Sequence, residues 1–198
     1  MKKKRNENYI IFICLVLLIS LSSILYRDIK ENSNDEMIAN IETTTSSETT
    51  TTTTTRKVVW DNLTEEELIV KLNKNLYSEL AGTGSYFARY TAETGLDPYL
   101  AVSIVNLETG CKWGCSYLAR ECNNIGGIKG GPSCNGGSYK RYNSLEEGIN
   151  SYLDLIYYNY YSIGLDDAYK MNSKYAESST WAFKVNNYYE EIVNTTIE

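Results

Sequence analysis

From Thr43 to Thr55 the chain is threonine at every position except Ser46, Ser47 and Glu48. Such a tract has no apolar side chains whose burial could offset the entropy of ordering it, so no packed core runs through it. The tract therefore divides the chain. With its polar flanks, residues 26–56 read as a disordered spacer. Every glycine, both prolines, all three tryptophans and every tyrosine except Tyr9 and Tyr26 fall after it. The foldable part is thus 57–198, the size of one domain, and a large multidomain machine is excluded.

Ahead of the spacer, Met1-Lys2-Lys3-Lys4-Arg5 opens a basic tail, 1–8, followed by an apolar run over 9–25. At about 1.5 Å per residue that run covers about 25 Å, the short end of what a spanning helix needs. The basic residues before it outnumber Arg27 and Lys30 after it, which orients the N-terminus to the cytoplasm and the domain outside. No small-x-small cleavage site follows the run, so an uncleaved single-pass signal-anchor is expected rather than a removed secretory signal. Cys14, inside the run, reads as apolar filler.

Composition narrows the chemistry. The chain has no histidine, which excludes Ser-His-Asp and Cys-His nucleophile systems and the usual histidine-bearing metal sites. General acids and bases must be carboxylate, lysine, tyrosine or cysteine. A net charge of -6 offers no long-range attraction to phosphate backbones, so nucleic acid is not an expected partner. Outside the cytoplasm the clustered set Cys111, Cys115, Cys122 and Cys134 reads as two disulfides, with three pairings open. A four-thiolate zinc site is disfavoured because the spacing contains no Cys-x-x-Cys knuckle, and neither metal nor cofactor is expected.

The punctuation of 57–198 predicts a mainly α domain. Thr64-Glu65-Glu66-Glu67 is a capping box, and Leu68, Ile69, Leu72, Leu76 and Leu80 keep helical spacing up to Gly82. Ser85 to Thr94 reads as a helix closed by Gly95. Asp97-Pro98 opens a third, which stops at Gly110. Glycines and a proline crowd the stretch from Cys111 to Asn143, predicting a small loop or hairpin lobe stapled by the cysteines. A second capping box, Ser144-Leu145-Glu146-Glu147, opens a tyrosine-rich helix to about Ile163, and Asp166–Ser173 and Thr180–Val193 read as two more, the last N-capped by Thr180.

Glu108 is the acid to which this pattern points. On the third helix it follows Ala101, Ile104 and Val105 at helical spacing, which puts it on the core-facing stripe. Desolvation and the negative end of the helix dipole both favour its protonated form. A protonated carboxylic acid beside a glycine-rich cleft is what a glycosidase uses to protonate a leaving-group oxygen. The competing structural role is a glutamate that reaches water or pairs with Lys112.

Around this acid lie, in order, Leu96-Asp97-Pro98-Tyr99-Leu100-Ala101-Val102, Glu108-Thr109-Gly110, Asn123-Asn124-Ile125-Gly126-Gly127-Ile128-Lys129-Gly130, Tyr142-Asn143-Ser144-Leu145-Glu146-Glu147-Gly148-Ile149, and Tyr175-Ala176 with Trp181. This ordered set, over about Leu96 to Val193, resembles the bacterial glucosaminidase family of peptidoglycan hydrolases, mannosyl-glycoprotein endo-beta-N-acetylglucosaminidase-like domains. The resemblance implies a lysozyme-like α fold with a substrate groove, cleavage of β-1,4 bonds in peptidoglycan strands, and a catalytic glutamate at Glu108. It also implies that Asn124, Gly127 and Lys129 shape the groove, that Tyr175 is in the active site and that Trp181 is near substrate. The domain would then work on the wall side of the cell membrane.

One departure from the family matters. A second acid is often supplied by the small lobe, yet no Asp or Glu occurs from Asn123 to Leu145. The second carboxylate is then either Glu121 or absent, with Glu146 assigned to a helix start. Without one, the substrate's 2-acetamido oxygen is an alternative stabiliser. Trp113, Tyr139 and Tyr142, in or beside the lobe, are the aromatic residues expected to meet sugar, whereas the late-helix tyrosines read as core filling with a hydroxyl at the rim. Lys129 and Arg141 are candidates for the carboxylates of peptidoglycan. Muramidase or lytic transglycosylase chemistry on the same acid, and a non-catalytic wall-binding module, are the rival functions, and no protein partner is legible.

Overall fold

The computed structural model describes residues 56–197. The expected basic tail 1–8, apolar span 9–25 and all but the last residue of the spacer 26–56 lie outside the described residues. Among those described, no helix is long and apolar enough to cross a membrane. They form seven α-helices and two short 3₁₀ turns, with isolated β-bridges but no strand.

The organising element is the helix Pro98–Thr109. To number in chain order, α1 is Glu65–Asn73, α2 Gly84–Thr94, α3 Pro98–Thr109, α4 Tyr117–Cys122, α5 Leu145–Asn159, α6 Ala168–Tyr175 and α7 Trp181–Val193. Asp97 starts α3 as the sequence predicts: its Oδ1 accepts from the N–H groups of Tyr99 at 2.8 Å and Leu100 at 3.2 Å, and Pro98 takes the first helical position. Its other oxygen accepts from the Tyr189 hydroxyl at 2.9 Å, which ties the start of α3 to α7. Every residue of α3 from Pro98 to Asn106 is buried. Leu68, Leu72, Phe87, Ile149, Ile156 and Val185, from the helices around it, complete the core.

Several boundaries differ from the sequence expectation, each for a local reason. The first helix stops at Asn73 instead of continuing toward Gly82. The Asn75 side chain takes the Lys71 carbonyl at 2.9 Å, the Asn73 side chain accepts from Gly84 N–H at 2.8 Å, and Ser78 adopts a left-handed φ of 51°. Leu80 still reaches the core, from a 3₁₀ turn over Ser78–Leu80. Helix α5 ends at Asn159, and a 3₁₀ turn over Tyr161–Ile163 closed by Gly164 replaces its expected last turn. Thr180 does not cap α7. It has turn dihedrals (φ -98°, ψ 1°) and no side-chain bond to the helix, while Asn172 of α6 accepts from Ala182 N–H at 3.1 Å in its place.

The glycine-rich lobe contains a helix the sequence reading did not include, α4, capped by Ser116. The disulfides pair Cys111 with Cys115 and Cys122 with Cys134. Between them, the buried Asn124 amide donates to the carbonyls of Ile128 at 2.8 Å and Lys140 at 2.7 Å and accepts from Ile128 N–H at 2.9 Å. One side chain thus reinforces the few backbone bonds, such as Gly130 N–H to Ser138 and Lys140 N–H to Ile128, that join the two arms of this loop. Gly148, in the second turn of α5, lets that helix close onto the end of α4. A Cβ there would lie 1.8 Å from the Asn123 carbonyl oxygen.

Candidate active site

Helix α3 carries its last turn out of the core, and this is where the expectation for Glu108 needs correction. Leu107 is half-buried and Glu108 is exposed, so the carboxylate does not share the core-facing stripe. The physical reason is that α3 is wrapped on all sides up to Asn106, which makes its apolar spacing uninformative about which way the following residue points. Glu108 emerges into a groove of about 450 Å³ between α3, α4, the 124–127 segment and the tyrosines at the ends of α5 and α6. Among the residues lining that groove it is the only carboxylate.

Its surroundings are aromatic. Trp181 Nε1–H donates to Glu108 Oε1 at 3.0 Å. The Trp181 indole, itself buried, stacks on Tyr175 with centroids 4.6 Å apart and planes at 27°. Tyr175 in turn meets Tyr160 at 5.2 Å. Burial pushes the Tyr175 phenol far above its ordinary range, helped by the nearby Glu108 charge and by Tyr160. Tyr175 therefore remains a neutral O–H donor at any working pH, and among the described residues no group hydrogen-bonds its hydroxyl. Tyr152 is fully buried, donates to the Ala101 carbonyl at 2.6 Å and is likewise held protonated, first by burial and then by Tyr175 and Glu108.

Of the residues singled out by sequence, Glu108, Tyr175, Asn124, Gly127 and Tyr139 line this groove, and Trp181 supports it through Glu108. The others are elsewhere. Tyr142 is buried, with its hydroxyl on Ser151 Oγ at 2.7 Å. Lys129 is exposed and bridges Tyr139 through the backbone. Glu121 is exposed and outside the groove lining, its carbonyl accepting from the Arg141 guanidinium. Trp113 lines a separate cleft with Lys112, and Lys112 pairs with Glu191 at 2.6 Å, not with Glu108. Glu146 sits in a surface pocket with Tyr90 and Asp154. It is Glu147 whose carboxylate reaches back, to Asn143 N–H at 2.9 Å. Tyr160, assigned to core filling in the sequence reading, lines the groove. Its signal is positional only: it stands just past the end of α5, where helix periodicity no longer dictates direction.

The model of one protein family matches residues 84–194, more than half of the chain: glucosaminidase, mannosyl-glycoprotein endo-beta-N-acetylglucosaminidase. The chain belongs to the glucosaminidase family. It is a glycoside hydrolase, and the family carries with it a glycan substrate of the peptidoglycan type. The match encloses α2 to α7, both disulfides and every residue lining the groove. No curated protein sequence gives a significant match. In this glucosaminidase Tyr175, Tyr160 and the glycine segment Gly126-Gly127 line the groove around one acid, and Trp181 holds that acid from outside the lining.

Proposed function

We propose that this glucosaminidase is an exported peptidoglycan hydrolase that cuts β-1,4 glycan bonds with Glu108 as its general acid. The observation that carries the reading is a groove holding a single carboxylate, tethered through one oxygen by Trp181 Nε1–H. The other oxygen is left to carry a proton toward a bridging sugar oxygen. Since Glu108 is exposed in the free protein, exclusion of water from it falls to the bound glycan. As the proton leaves, charge develops on the carboxylate, and the indole N–H bond strengthens because its acceptor becomes ionic. Tyr175, a neutral phenol, is the donor available to the substrate or to an attacking water.

With no second carboxylate lining the groove, the cation-like transition state is stabilised by the substrate's own 2-acetamido oxygen. The same observation favours one second reading, lytic transglycosylation, in which a sugar hydroxyl of the substrate replaces water as nucleophile and no second protein acid is needed. The basic Met1–Arg5 segment and the apolar run 9–25 support tethering to the cell membrane with a cytoplasmic N-terminus, and the threonine tract a spacer toward the wall.

The test is digestion of purified peptidoglycan by the full chain and by Glu108→Gln. The amide variant is expected to lose activity by about a hundredfold or more at unchanged melting temperature. Equal digestion would overturn the assignment of Glu108. The new chain end separates the two chemistries: a reducing N-acetylglucosamine marks hydrolysis of the glucosaminidase type, a 1,6-anhydro end marks transglycosylation.

A further inference from the structure

Trp113 is the most exposed large apolar side chain among the described residues, at 84%. A solvated indole of that size is uncommon on a surface that has no partner for it. It is also held firmly. It sits in the five-residue loop closed by the Cys111–Cys115 disulfide, both of whose cysteines are buried, between Gly110 and Gly114 with left-handed φ of 64° and 119°. The loop is anchored again by Ser78, whose hydroxyl donates to the Cys111 carbonyl at 2.9 Å.

Beside the indole lies a cleft of about 340 Å³, distinct from the Glu108 groove, with Lys112, Lys184, Asn187, Tyr188 and Glu191 in its lining. The Lys112 ammonium braces this wall. It pairs with Glu191 and lies 6.0 Å from the Trp113 ring centre, 5.6 Å from that of Tyr188 and 5.9 Å from that of Tyr77. Lys184, exposed on the same face of α7, has no partner among the described residues. The two sites meet at the end of α3, where Leu107 lines the cleft and Glu108 the groove. Trp113 follows Glu108 by five positions, so their Cα atoms are at most about 18 Å apart.

We propose that the Trp113 cleft is a second glycan-holding site, which binds another sugar of the strand whose scissile bond lies over Glu108. The chemistry of the cleft selects that occupant. A rigid exposed aromatic face stacks on the C–H face of a pyranose ring, Asn187 supplies amide hydrogen bonding, and the unpaired Lys184 meets a carboxylate borne by the sugar or its peptide stem. A purely apolar partner leaves Lys184 and Asn187 unmatched. The proposal rests on the peptidoglycan reading above for its ligand, but its test does not depend on turnover.

The experiment is co-sedimentation of full-length protein with insoluble peptidoglycan in the Glu108→Gln background, which prevents digestion. Adding Trp113→Ala is expected to weaken binding about tenfold, the size typical of losing an aromatic anchor. Trp113→Tyr, which keeps an aromatic face, is expected to restore most of it, and Lys184→Ala to weaken binding at low salt with the loss fading as salt rises. In the parent background, Trp113→Ala should slow digestion of the polymer while leaving cleavage of a disaccharide-repeat fragment that fills only the groove unchanged. Equal binding of the Trp113→Ala and Trp113 proteins would overturn the second site. Failure of the Glu108 assignment reads out separately, as undiminished digestion by Glu108→Gln.

Discussion

Replacing Trp181 by phenylalanine keeps a ring against Tyr175 and removes the one N–H among the described residues that reaches the Glu108 carboxylate. A hydrogen bond to a charged group contributes about 1.5–3 kcal/mol, and each 1.36 kcal/mol in a barrier is about tenfold in rate. If the bond strengthens as Glu108 gives up its proton, most of that energy is realised in the transition state, and kcat should fall about ten- to a hundredfold. KM should hold, because Trp181 is not among the residues lining the groove. The smaller ring also leaves a void in a buried position, costing about 1–2 kcal/mol of stability and a few degrees of melting temperature. The assay is steady-state kinetics on soluble peptidoglycan fragments, run well below the melting temperature of the variant. A kcat within about twofold of the parent, or a loss confined to KM, would refute the positioning role, since uniform binding effects leave kcat alone. A purely structural Trp181 would lower stability without separating kcat from KM in this way.

Two further substitutions probe the scaffold. Gly148→Ala should destabilise the domain by about 1–3 kcal/mol in urea unfolding, because the added methyl meets the Asn123 carbonyl, a backbone atom that cannot rotate away; parent-like stability would refute the close contact. Asp97 is held above the usual carboxylate range, chiefly by burial and with the Asp61 charge adding to it, against the lowering pull of the Leu100 and Tyr99 N–H groups and the Tyr189 hydroxyl. A raised native pKa means that the folded state binds this proton more tightly, so its charging costs stability as pH rises through and above the carboxylate range. Asp97→Asn keeps a good N-cap and removes that charge, so the variant should gain on the parent between pH 4 and pH 7 in paired melting curves; a gap that does not move with pH would refute this account.

How much of this was legible in the chain depends on whether the deciding interaction is local. Helix starts at Thr64, Asp97 and Ser144 were readable because a cap is made within three residues of itself. The start of α7 was not, because its cap comes from Asn172 on another helix. The stop at Asn73 was missed because leucine spacing persists through a 3₁₀ turn that still delivers Leu80 to the core. Glu108 does line a groove, but the reason given from sequence was mistaken: burial on a stripe was expected, yet the residue is exposed because the stripe logic fails on a helix buried all round.

The sequence alone determined the mainly helical class, the absence of imidazole chemistry and the oxidised cysteine lobe. Each follows from composition or from contacts a few residues long. Only the tertiary structure decided which cysteines pair, that the groove has one carboxylate, that the Trp181 indole hydrogen-bonds to Glu108, and that Trp113 faces a different cleft from the one it was expected to line. Those outcomes depend on residues brought together across 73 positions in the case of Trp181 and Glu108, and no periodicity within a single segment encodes where two distant segments meet.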